Sequence, residues 1–209
     1  MAASASVEGA DIVALGEHVD YWDELGWKDR FSSASLTDRQ RVYSRAFNTD
    51  SIYTPQLVVD GRAELVGSDG DAARRAIRRA LEVPHGRVRL ELEPSGGDVA
   101  LAISTSSLPR PGRGDRDDIV VAITEDRLTT DVRRGENHGR TLAHAAVVRS
   151  LATVGEAAAS DGAASLSVRR LPIAADWNRD NLKVVAFVQE SRSRHIVAAV
   201  SRPVPGARR

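Results

Sequence analysis

The chain has 209 residues, enough for one large domain or two small ones, and 42% of them are hydrophobic, so a substantial core can form. Lys+Arg and Asp+Glu both number 29, a balance that argues against a general nucleic-acid surface. There is no cysteine, so this chain has neither a disulfide nor a thiolate nucleophile of its own. The apolar runs fall far short of the ~20 residues that span a bilayer, and no transmembrane segment is expected. The opening "MAASASVEGAD" has neither the basic start nor the apolar stretch of a signal peptide.

The first half alternates strand and helix signals. Residues 12–19 read as a buried strand, followed by "HVDYWDELGWKDRF", where Tyr21, Trp22, Trp27 and Phe31 stand among acidic and basic residues. "SLTDRQRVYSRAF" reads as a helix, with Thr37 as cap, Gln40 closing a capping box, and Val42 and Ala46 on one face. "IYTPQLVVDGRAEL" supplies an extended segment, a turn at Asp60-Gly61 and a second short strand. A second helix follows, with Ser68 as its cap, an apolar stripe at Ala73, Ile77 and Leu81, and Pro84 and Gly86 as stops. The arginines of "RRAIRR" and of the terminal "PGARR" read as solvated surface rather than as a nucleic-acid footprint.

After residue 86 the period drops to two. "RVRLELEP", "DVALAIS", "DDIVVAIT", "ASLSVRRLPI", "NLKVVAFVQE" and "HIVAAVS" are strand patterns without a βαβ rhythm, which predicts an antiparallel sheet or sandwich. "LAHAAVVRSLATVGEAAA" fits helix by its alanines and strand by "AAVVRSL". "SSLPRPGRGDRDD" is a polar loop. The period change places a boundary near residues 84–87, giving expected domains of 1–86 and 87–209.

Four stretches in order, "HVDYWDELGWKDRFSS", "RQRVYSRAF", "YTPQLVVDGRAELVGSD" and "GENHGRTLAHAAVVRSL", resemble the DUF1223 family, bacterial proteins of uncharacterised function with a thioredoxin-like domain. The resemblance implies an α/β fold, a thioredoxin-like layer followed by a mainly antiparallel β domain. Family members carry a first strand, a Cys-x-x-Cys segment and a first helix ahead of the strand matching "DIVALGEHVDYW". None of these has a counterpart in this chain, so the layer is expected to be truncated. The resemblance also implies a cis bond at Thr54-Pro55, beside Tyr53, at the floor of a cleft. That geometry frees the preceding residue's backbone for an extended substrate. Asp20, Tyr21 and Trp22 are then expected at the cleft wall, with His18 and Asp20 as proton handlers. The simpler alternative is that the rings cover the sheet end and Asp20 binds loop amides. An exported or periplasmic compartment follows if a leader precedes this start, and a cytoplasmic one otherwise.

In the second half, "RRGENHGRTLAH" gathers Arg134, Glu136, Asn137 and Arg140 in a polar turn between glycines. His138 and His144 do not make a metal site, which needs three or four ligands. "DGRAELVGSDG" lacks the spacing and lysine of a phosphate loop, and no cofactor is implied. Two readings of function follow. One is a thiol-disulfide role in cysteine-bearing relatives; the other is a non-catalytic module that binds a peptide or protein partner.

Overall fold

The computed structural model describes residues 7–24, 28–132, 138–157 and 164–206. In chain order it contains α1 (Ala34–Ala46), β1 (Gln56–Val59), β2 (Ala63–Val66), α2 (Gly70–Leu81), β3 (Arg87–Ser95), β4 (Asp98–Ser106), β5 (Asp117–Glu125), β6 (Leu128–Asp131), β7 (Thr141–His144), β8 (Val147–Glu156), β9 (Ala164–Leu171), β10 (Leu182–Glu190) and β11 (Ile196–Pro203). The fold is α/β: among the described residues two α-helices and the β1–β2 hairpin lead into a β region whose strands all pair antiparallel.

The centre is a four-stranded sheet in the order β11-β10-β5-β8. A three-stranded sheet, β3-β4-β9, lies against one of its faces. Leu90, Val99, Leu101 and Ile103 of that smaller sheet meet Ile119, Val121, Ile123, Val184, Ala186 and Val188 of the larger one in one apolar cluster. These are the alternating positions that period two assigns to one face. The complementary positions, Val120, Ala122, Val185 and Phe187, form a second cluster with Val13, Leu15, Leu151 and Ile196. Every residue of β5 is therefore buried, as are eight of the nine in β10. The sheet is the middle of three layers.

The region read as ambiguous is strand: β7 and β8. Pairing of β8 with β5 and of β7 with β6 outweighs the alanine preference for helix.

Several local expectations are corrected. Residues 12–19 are extended but make only one bridge, Gly16 to Val147, in parallel. The segment lies against the edge of β8 with no strand on its other side among the described residues; Ile12 is exposed and residues 13–19 are half-buried. Thr37 does not cap α1; Ser33 does, its hydroxyl accepting the Ser35 amide. Thr37 lies one turn inside and is buried, and so is Gln40. The buried face of α1 is Leu36, Thr37, Gln40, Tyr43 and Ser44, while Ala46 is exposed. The buried face is therefore not the one that Val42 and Ala46 mark, and its Thr37, Gln40 and Ser44 side chains are hydrogen-bonded. On α2 the cap is Asp69 rather than Ser68, because the Asp69 carboxylate reaches the Ala72 amide. Ala73 and Ala76 are the buried pair there, and Leu81 is exposed.

The Asp60-Gly61 turn forms as expected, with φ of 48° and 63° and the Arg62 amide bonded to the Val59 carbonyl. Both angles suit a hairpin turn of the primed kind. A Cβ on Gly61 would lie 1.9 Å from the Arg194 carbonyl oxygen. That close approach lets Ile196 donate its amide to the Asp60 carbonyl at 2.8 Å, tying the hairpin to the β10–β11 turn.

Candidate functional site

Two loops meet above α1. One carries Asp20, Tyr21 and Trp22; the other carries Tyr53, Thr54 and Pro55. The Thr54–Pro55 peptide is cis, and both residues are exposed. The Trp22 indole N–H donates to the Thr54 hydroxyl at 3.0 Å, so the structure brings these two expected residues into contact. The Trp22 ring stays 50% exposed and packs against Tyr21 at 5.3 Å between centroids. Among the described residues, the Thr54 N–H and C=O enter no hydrogen bond, while the flanking carbonyls are occupied. Tyr53 O accepts from the Gln40 amide at 2.8 Å, and Pro55 O accepts from the Gly67 N–H at 2.7 Å.

The buried polar face of α1 supports both loops. The Thr37 hydroxyl donates to the Asp20 carboxylate at 2.6 Å and accepts the Asp20 amide at 3.0 Å. Asp20 thus fixes the start of the aromatic loop. Gln40 also donates to the Gln56 side chain at 3.1 Å, and Gln56 in turn to Glu64. The Tyr53 hydroxyl turns inward and donates to the same Glu64 carboxylate. Burial, the Glu64 hydrogen bond and the Glu64 charge push the Tyr53 phenol up to about 12, so it stays protonated at neutral pH. Thr37, Gln40, Gln56 and Glu64 escaped the sequence reading as site residues. The Thr37/Gln40 spacing gave a signal, but one that reads equally as a helix cap.

His18 lies apart from this surface. Its Nδ1 is 2.5 Å from the Asp29 carboxylate, and its ring meets Phe31 and His144 edge-on at 5.7 and 5.2 Å. Burial raises the Asp29 carboxyl, but the His18 and Phe31 hydrogen bonds outweigh it and hold the group below the usual range. Burial and the neighbouring His18 lower His144, whose Nε2 faces the Thr130 hydroxyl at 3.1 Å. Among the described residues no group of three or more His, Asp or Glu could hold a metal ion. Of the expected polar turn, Arg134, Glu136 and Asn137 lie outside the described residues, as does Trp27. Arg140 is exposed, and its carbonyl accepts the Val132 amide at 2.9 Å. No helix among the described residues is long and apolar enough to cross a membrane.

Two solved structures share the fold. Protein AGR_C_4864 from Agrobacterium tumefaciens is 25% identical, with a TM-score of 0.62 over 93% of this chain and 81% of that one. HBP35 of Porphyromonas gingivalis is 12% identical, with a TM-score of 0.64 over 84% of this chain and 61% of that one, a likeness of fold alone. Among curated proteins no match was found. The model of a protein family of unknown function, DUF1223, matches residues 1–189, and the chain, cysteine-free throughout, belongs to that family.

Proposed function

We propose that the surface around Thr54 binds an extended peptide or protein segment without chemical turnover. The observation that carries this reading is Trp22: an exposed indole held in place by its bond to the Thr54 hydroxyl, beside a Thr54 backbone with both hydrogen-bonding groups open. An extended partner can pair with that N–H and C=O while a side chain packs on the indole face. The supporting groups are already bonded, so little ordering is left for binding to cost. In this reading residues 1–86 present the surface and residues 87–209 are the β-rich scaffold behind it. Thiol–disulfide exchange is the family-level alternative, and it needs a thiol that none of these residues provides.

The test is selection from a displayed library of unstructured peptides, followed by titration of the winners against the wild type and Trp22→Ala. Enriched peptides that shift the Thr54 amide resonance, and that bind W22A at least about tenfold more weakly, support the reading. Absence of enrichment, or equal affinity for W22A, overturns it.

A further inference from the structure

A separate cleft of about 480 Å³ opens on another side of α1, between the start of that helix and β8. Its size is that of a small-molecule site. Among the described residues four arginines line it, Arg30, Arg39, Arg149 and Arg194, against a single carboxylate, Asp38. Asp38 is itself exposed and paired with Arg41. Clusters of this sign are unfavourable unless something offsets them, and here the offset is incomplete. Arg39 pairs with Glu17 at 2.9 Å, and Arg149 pairs with the buried Glu125 at 3.1 Å and with the exposed Asp176 at 3.8 Å. Among the described residues neither Arg30 nor Arg194 has a carboxylate within 4.0 Å.

The guanidiniums are also held in place. Arg149 sits 5.1 Å from the Trp177 ring and 5.3 Å from Phe31, and Arg30 sits 4.5 Å from Phe31. Arg39 and Arg194 both lie over Tyr43, at 5.1 and 6.0 Å, and both donate to the Gln189 side-chain oxygen. The cations therefore fall into two pairs, one around Phe31 and one around Tyr43. Arg194 carries a buried Nε with no hydrogen-bond partner among the described residues, and burial followed by the charge of Arg39 lowers its guanidinium. The first turn of α1, with no acidic residue, adds its positive end.

We infer that this cleft binds a small organic molecule carrying two separated oxyanion groups, one for each arginine pair, with Phe31 and Trp177 against its apolar part. Fixed guanidinium forks match carboxylate and phosphate oxygens, and two such ends select a dianion over a monoanion. Nothing in this inference depends on the peptide surface at Thr54.

The test is calorimetric titration of the full chain with citrate and, separately, with inorganic pyrophosphate, against chloride at matched ionic strength. Saturable one-to-one binding of either anion is expected, and the preferred one tells carboxylate from phosphate chemistry. Arg30→Ala with Arg194→Gln should weaken it by about tenfold or more. Because Arg194 also holds Gln189, a second variant guards against misfolding. Ser35→Glu places a carboxylate at the exposed mouth and favours the helix start, so it should keep the fold and abolish binding. No saturable binding of either anion, or wild-type affinity in S35E, overturns the inference.

Discussion

The middle sheet and the layer that carries the Thr54 surface are built on opposite principles. Strands β5 and β10 bury apolar side chains on both faces, and their stability comes from area removed from water. The layer of α1 and its two loops is held by polar side chains that bond one another and the loop backbone: Thr37 with Asp20, Gln40 with the Tyr53 carbonyl and Gln56, Tyr53 with Glu64. The first arrangement tolerates many apolar sequences of similar volume. The second requires particular donors and acceptors, because each lost partner strands a buried group. A surface meant to hold a fixed shape gains from the second kind, and a foundation from the first.

The contrast can be broken at measurable places. Phe187→Ala, which empties a 1%-exposed site between the sheet and the N-terminal segment, should cost about 3–5 kcal/mol in a denaturant melt. Gly61→Ala joins the two regions in one test. Its new Cβ meets the Arg194 carbonyl at a residue with φ of 63°, so a loss of about 2–3 kcal/mol is expected, with reduced exchange protection at the Ile196 amide.

Asp117 gives a change of the other sign. Burial, then the charges of Glu190, Asp115 and Asp118, raise its carboxyl to about 6. The folded chain holds that proton more tightly than the unfolded one. Its contribution therefore favours folding at low pH and is lost as pH climbs from the unfolded value of 3.8 through about 6. Asp117→Asn should stabilise the protein by about 1–2 kcal/mol at pH 7 and flatten the stability profile across that window. Unchanged melts at pH 4 and pH 7 would contradict this.

Gln40→Ala should cost about 1 kcal/mol by removing two donated bonds, and should broaden the amide resonances around Thr54. Trp22→Ala should move stability by less than about 0.5 kcal/mol, since the ring is half exposed. Its effect should appear only in binding.

The same contrast explains what the sequence could reveal. Apolar alternation in "DDIVVAIT" and "NLKVVAFVQE" announces strands, and the period change near residue 86 announces where they begin. The Asp60-Gly61 turn follows from residue chemistry alone. Thr54, Pro55 and Trp22 were legible through family resemblance. The struts beneath them were not: a glutamine that joins two loops looks like any surface glutamine, since a partner at position 53 or 56 leaves no periodic trace. The arginine cleft was illegible for a related reason. Its four cations come from positions 30, 39, 149 and 194, and only folding puts them side by side.

Burial on both faces of β5 has a further consequence for how that strand knows its place. In a sheet with one wet face, a slip by one residue turns apolar side chains into water and is rejected for that reason. β5 has no wet face, so a slip would merely exchange one apolar set for the other. Alignment must then come from the ends. At one end Asp115, just before β5, accepts the Ser191 hydroxyl and the Arg192 and Ser193 amides. At the other, Glu125 accepts the Asn178 amide and pairs with Arg149. These carboxylates act as locating pins, and the greasy middle of the strand supplies cohesion without address.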